Sequence, residues 1–317
     1  MAHLQPIERL RGAATTIDRR LGSLEEYYAT GALRYSLAVV FFWFGIIKPL
    51  GVTPATMLVS ETLEATPILR ALISFPVFMS ALGWWEAIVG LGLLHYRTVK
   101  PAVACMMVQM AATFVPLFVV PEITFQSSLF VPTTPGLYIV KNFVLLTAGL
   151  VVASSYGDSD WRARDVSGIS TASWSGRAIE RWRAALATIQ RSSLPLLRTG
   201  LVLVFLWSGL LTILGRAEPG DWMAAAVAVF VSPGLLEPLI GALELAIGLY
   251  LVTDRTTHIA AYLVVVYLFL SLLPIVALPA VVFQAFPVGL SFEGAYLVKD
   301  WVLVSAVIVV DYHATDG

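Results

Sequence analysis

Eight long apolar runs constrain this chain more than anything else in it, at 33–51, 71–94, 101–121, 136–155, 198–215, 223–252, 258–280 and 294–312. A helix rises 1.5 Å per residue, so about 20 apolar residues cross the ~30 Å hydrocarbon core of a bilayer. Lipid offers the backbone no partners, so runs of this length fold as helices that satisfy their own N–H and C=O groups. Composition points the same way. Of 317 residues 58% are apolar and 13% charged, whereas a soluble domain carries about 25% charge. The expected product is an all-α, multi-pass membrane protein with the lipid bilayer as its first partner. The sixth run contains Pro233, Gly234 and Pro238. A short half-helix or re-entrant piece should therefore precede a span that begins near 235. Residues 52–70 hold the matching piece earlier in the chain, a short polar helix around Glu61 and Glu64.

The polar stretches set orientation. Residues 7–28 place Ile7, Leu10, Ala14, Ile17, Leu21, Leu24 and Tyr28 at steps of three or four. That is an amphipathic helix with a basic face, suited to a membrane surface or to the protein's own loops. The first 32 residues show no cleavable signal pattern, so the first run reads as an anchor. Residues 156–196 read as a linker followed by a second basic helix carrying Ile179, Trp182, Leu186 and Ile189, or as a partly disordered linker. Eight spans put both termini on one side. That side collects fifteen lysines and arginines, against Lys48, Arg70 and Arg216 on the other. The positive-inside rule then makes both termini cytoplasmic, and the plasma membrane is the expected location.

The chain also repeats itself. Arg34, Leu37, Val40, Phe41, Trp43 and Gly45 match Arg198, Leu201, Val204, Phe205, Trp207 and Gly209 at an offset of 164. Beyond the next loop the offset becomes 158: Gly83, Glu86 and Gly90 match Gly241, Glu244 and Gly248. Pro116, Pro121, Phe125 and Gln126 match Pro274, Pro279, Phe283 and Gln284, and Gly136, Tyr138 and Lys141 match Gly294, Tyr296 and Lys299. Chance agreement in apolar sequence would produce leucine and valine matches, not Trp, Glu, Gln, Tyr and Lys in order. The expected organisation is a helix over 1–32, a four-helix repeat over 33–155, the linker over 156–196 and a second four-helix repeat over 197–317. Four spans per unit is an even number, so the repeats are parallel, related by a pseudo-twofold axis along the membrane normal.

Charge inside these runs marks the candidate site. Tyr138, Lys141 and Asn142 lie three and four apart and share a helical face, as do Tyr296, Lys299 and Asp300. Each lysine is either an interfacial anchor or structural pair, or a cation facing the bundle interior for an anion or a quinone carbonyl. Glu86 and Glu244 sit between glycines that permit close helix approach. They are candidates for a structural pair with Arg34 and Arg198, or for a proton or ligand role. Gln126 and Gln284 follow paired prolines and either cap a pocket or end a helix. Lys48 closes the first run and has Thr212 as counterpart; Asn142 against Asp300 is a second difference between the halves.

Other chemistries lack a signal. No nucleotide, haem or metal motif occurs, and a net charge of −1 with no basic aromatic run gives no nucleic-acid partner. Cys105 is the only cysteine and reads as a small core residue.

Each half resembles the DoxX-like membrane proteins, in particular the YkgB/RclC-like branch. The resemblance rests on Arg34…Trp43-Phe-Gly45-Ile-Ile-Lys48, on Glu86 with Gly90, on Thr124-Phe125 followed by Pro132-Thr-Thr-Pro135, and on Gly294…Lys299-Asp300. It covers most of 33–155 and 197–312, and departs from the family's pattern at Asn142, at Thr212 and in the second half's outer loop. That family includes the membrane subunit of thiosulfate:quinone oxidoreductases and relatives tied to oxidative stress. The resemblance implies a membrane component of a redox system, with a quinone or a small oxidant as ligand and a soluble oxidoreductase subunit as partner. A small-solute transporter or channel, or a scaffold for that soluble enzyme, are the alternatives.

Overall fold

The apolar runs fold as helices, and the chain turns where prolines and glycines interrupt them. The computed structural model describes residues 28–126, 128–156, 174–216, 218–226 and 233–315. Six described stretches are long and apolar enough to cross a membrane: Tyr28–Ile47, Phe75–Leu94, Val99–Val119, Thr134–Ser155, Arg191–Ile213 and Asp254–Ala277. The protein is thus a helical, multi-pass membrane protein. The helices are α1 (Tyr28–Ile47), α2 (Thr56–Glu64), α3 (Pro67–Leu72), α4 (Phe75–Leu94), α5 (Val99–Ala112), α6 (Pro116–Val119), α7 (Pro121–Thr124) and α8 (Thr134–Ser155). They continue with α9 (Trp174–Ile213), α10 (Glu218–Ala226), α11 (Pro233–Tyr250), α12 (Thr257–Ala277), α13 (Pro279–Val282), α14 (Phe292–Val298) and α15 (Asp300–Thr315).

In the sixth run α10 ends at Ala226 and α11 begins at Pro233, with 227–232 outside the described residues. The eighth is interrupted at Lys299, whose carbonyl accepts from both Val302 N and Leu303 N, while Lys141 lies inside the unbroken α8. The expected helix over 7–28 and linker residues 157–173 lie outside the described residues. The second basic helix is corrected: it is the start of α9, one helix of 40 residues with Pro195 inside it. A proline removes one N–H, and a helix this long carries through the single gap.

Proline placement explains the returns. Pro116 and Pro121 each open a short helix, where the missing N–H costs nothing. Pro274 and Pro279 shape the end of α12 and the start of α13. Strands β1 (Phe283–Ala285) and β2 (Gly289–Leu290) then pair antiparallel, with Phe283 opposite Leu290. In the first half a single antiparallel bridge joins Phe125 to Pro132.

The main core cluster draws on both halves, including Leu37, Leu93, Val144, Phe205, Val264 and Val307. Helices α8, α9 and α15 pack against one another at its centre. Glycine sets the closest approaches. A Cβ on Gly45 would collide with the backbone of Ala87 on α4, and one on Gly209 would lie 2.7 Å from the Gly241 carbonyl on α11. Outward faces of the long helices are apolar and exposed, as at Ile88, Val108, Tyr262, Phe269 and Val276. Lipid is the solvent that suits them.

Candidate functional site

The two lysines cross between the halves. Lys141 on α8 reaches Asp300 on α15, with Nζ 2.5 Å from Oδ1 and 3.2 Å from the centre of the Tyr296 ring. Lys299, at the break between α14 and α15, reaches back to α8. Its Nζ donates to Asn142 Oδ1 at 2.6 Å and to the Tyr138 carbonyl at 3.0 Å, and stands 3.0 Å from the Tyr138 ring centre. Both lysines are at most 2% exposed, so neither is an interfacial anchor. The shared face expected for Tyr138, Lys141 and Asn142 is corrected. Successive residues on a helix point about 100° apart, so Tyr138 and Asn142 meet Lys299 while Lys141 meets Tyr296 and Asp300.

This exchange leaves the two clusters with different charges. In the second, Asp300 compensates Lys141. In the first, Asn142 is neutral, and among the described residues Lys299 has no carboxylate partner. Asn142 is oriented by its surroundings, because its Nδ2 donates to Thr113 Oγ1 at 3.0 Å and its Oδ1 faces the ammonium.

The glutamates are held differently too. Glu86 forms an ion pair with Lys48, which lies just past α1 and also donates to the Phe44 carbonyl at 3.1 Å. Gln109 Nε2 on α5 donates to the other Glu86 oxygen at 2.5 Å. Glu244 forms no salt bridge among the described residues; Ser208 and Thr212 donate to it at 2.9 and 3.1 Å. Arg34 and Arg198 are therefore not the partners of these glutamates. Gly45, not Arg34, is level with Glu86, and the two lie roughly 16 Å apart along α1. Arg34 instead stacks on Tyr35 and Tyr156, each 4.6 Å from its guanidinium. Arg198 pairs with Asp254 and donates to the Leu251 carbonyl.

The first cluster borders a cleft of about 160 Å3. Lys48, Glu86, Gln109, Tyr138, Asn142 and Lys299 supply its polar wall. Thr62, Thr113 and apolar side chains supply the rest, with Leu58, Val59 and Leu63 of α2 and Leu69 of α3 reaching over it. A mainly apolar cavity with a few convergent polar groups is the usual form of a small-molecule site. In the second half, by contrast, Trp222 of α10 meets the Tyr296 ring edge-on at 6.2 Å. The piece matching α2 and α3 thus fills space beside the second tyrosine.

The remaining sequence candidates lie elsewhere. Gln126 is exposed and donates to the Arg216 carbonyl at 3.3 Å, and Gln284 is exposed on β1. Neither lines the cleft. Cys105, expected in the core, is exposed on α5. Gln109 and Thr113 escaped the sequence reading because Tyr267 and Ser271 stand 158 residues on, so no identity flagged them. A buried glutamine in an apolar helix was the available signal. No group of histidine, cysteine and acidic residues among the described residues could hold a metal. Comparison with protein-family models, with curated proteins and with solved structures found no match.

Proposed function

We propose that this chain is the membrane component of a redox system and that its cleft binds a quinone. The carrying observation is Lys299, a buried lysine with no ion-pair partner among the described residues, on the polar wall of a mainly apolar cleft. A quinone offers what that wall lacks: an apolar ring and tail with a carbonyl oxygen for the cation. The redox assignment draws on the resemblance of Trp43…Lys48, Glu86 and Lys299-Asp300 to the DoxX-like proteins, which also implies a soluble oxidoreductase subunit as partner.

In this reading the protein has eight spans, α11 and the α14–α15 pair adding to the six long helices, arranged as two parallel four-helix repeats. Reciprocal contacts support a pseudo-twofold axis. Lys141 meets Tyr296 and Asp300 as Lys299 meets Tyr138 and Asn142. Trp43 Nε1 donates to the Val288 carbonyl at 2.8 Å, and Trp207 Nε1 to the Phe130 carbonyl at 2.9 Å. Thr133 caps Gly136 as Ser291 caps Gly294. The charge asymmetry of the loops supports cytoplasmic termini in the plasma membrane. The cleft then lies in the outward half of the bilayer, beneath α2 and α3.

The test is quinone content. The protein is purified in nanodiscs of its host membrane lipid, extracted and assayed by mass spectrometry. Wild type is expected to retain quinone, and Lys299→Met to lose most of it while remaining monodisperse. Wild type that neither retains quinone nor binds an added short-tailed quinone contradicts the reading. Solute flux into proteoliposomes, abolished by the same substitution, would favour a transporter instead.

A further inference from the structure

We propose that the cleft opens sideways to lipid between α3 and α5, so that its ligand lodges a ring inside and leaves a tail in the outer leaflet. This rests on the quinone reading of the same cleft for the ring, and adds the tail and its route. Size sets the first condition. A cavity of about 150 Å3 holds a benzene ring. The cleft, at about 160 Å3, has room for one substituted ring and none for a long apolar chain. The tail of a lipid-soluble ligand therefore has to leave through the wall.

That wall reaches the surface at few points. Among the described residues that line the cleft, only Leu69 on α3 and Ala112 on α5 are exposed. Phe78 and Leu82 of α4 line the same cleft and are half-buried. Ala112 lies within the apolar stretch Val99–Val119, and Val108, four residues earlier on the same helical face, is exposed as well. Such a face inside a spanning stretch meets lipid. The surface of α3 is of the same kind. None of its residues is buried, and Ile68 and Leu72 are 81% and 78% exposed. Acyl chains suit these side chains, and Arg70 in the last turn of α3 supplies a cation for a lipid phosphate. By contrast, α2 buries Leu58 and Leu63 and exposes Glu61 and Glu64, an acidic side suited to water. Thus α2 roofs the cleft against the outer solution, and α3 borders its opening to the bilayer.

Nitroxide labels and a pair of ligands test this in nanodiscs. In a Cys105→Ala background, labels on Ile68→Cys and Leu72→Cys should collide more with oxygen, which concentrates in lipid, than with a water-soluble nickel chelate. A label on Glu61→Cys should do the reverse. Binding of a long-tailed quinone is then compared with that of the same ring without its tail. Wild type is expected to bind both. Ala112→Trp places bulk at the opening, and should lose most of the long-tailed quinone while keeping the tail-less one. Leu69→Trp repeats the measurement should the first variant not fold. Val108→Trp, on the same face but away from the cleft lining, should bind both as wild type does. Labels on α3 that favour the nickel chelate, or Ala112→Trp and Leu69→Trp variants that hold the two quinones alike, overturn the proposal. Binding of neither quinone by wild type removes the quinone reading and the tail's route with it, whereas wild-type binding of both without an effect of either tryptophan substitution removes the route alone.

Discussion

Lys299 donates to Asn142 Oδ1 at 2.6 Å, across from the other half of the chain, while its counterpart Lys141 finds a carboxylate, Asp300, at 2.5 Å. One side-chain amide in place of an acid separates a buried lysine with only neutral oxygens beside it from one held in an ion pair.

Asn142→Asp should therefore close the first site. The new carboxylate pairs with Lys299 and removes the cation's claim on a ligand oxygen. Quinone affinity is expected to fall about tenfold, the scale of one charge-assisted hydrogen bond. Thermal stability should hold or rise, because the loss of the donor to Thr113 is offset by an ion pair. Nanodisc titration with a melting curve checks both. Unchanged affinity would mean that the Lys299 charge is not what holds the ligand.

Breaking the second pair should act on stability. Asp300→Asn or Lys141→Met each strands a partner that is at most 2% exposed. Such a loss costs about 3–5 kcal/mol, whereas replacing both members by apolar groups costs much less. Lys141→Met combined with Asp300→Leu is expected to recover most of the loss in detergent unfolding. A double variant as unstable as the sum of the singles would contradict a local pair.

Glycine contacts offer an independent check on the packing. Gly45→Ala and Gly209→Ala force a methyl into the backbone of α4 and α11. Each should destabilise by about 1–3 kcal/mol. Gly31→Ala meets nothing within 4 Å and should be neutral or slightly stabilising. Unfolding midpoints of the three variants distinguish a tight helix interface from a loose one.

Topology is open to thiol labelling in a Cys105→Ala background. Leu50→Cys and Leu129→Cys lie at exposed positions of the turns proposed to face outward. Tyr96→Cys and Thr315→Cys are exposed at the opposite end. The first pair should react with an impermeant maleimide in intact cells, and the second only after permeabilisation. Labelling of Tyr96→Cys and Thr315→Cys on opposite sides would remove an even span count between them.

Much of this was legible because the bilayer simplifies the code. Run length located the second, third, fourth and seventh helices to within a few residues, and Pro116, Pro121, Pro274 and Pro279 marked their returns. Glycine spacing around Glu86 and Glu244 announced close approaches that the helices make. Pairing was harder to read. A glutamate's partner depends on depth along two antiparallel helices, which favoured Lys48 over Arg34 for Glu86. Lys141 and Asn142 are neighbours in sequence, yet each takes a different partner from the second half, Asp300 and Lys299. No periodicity within one helix reveals that. The continuity of Trp174–Ile213 was hidden by polar residues and Pro195, since burial of its later turns, not local propensity, carries a helix through them.

Photoaffinity labelling with an azidoquinone tests the central claim most directly. The purified protein in nanodiscs is irradiated, digested and mapped by mass spectrometry, with and without excess unlabelled quinone. Label is expected on the cleft wall, in peptides carrying Phe44, Leu63, Met110 or Tyr138. It should be displaced by competitor and be lost in Lys299→Met. Label confined to lipid-facing residues such as Phe269 and Val276, or indifferent to competitor, would contradict a quinone site in the first half.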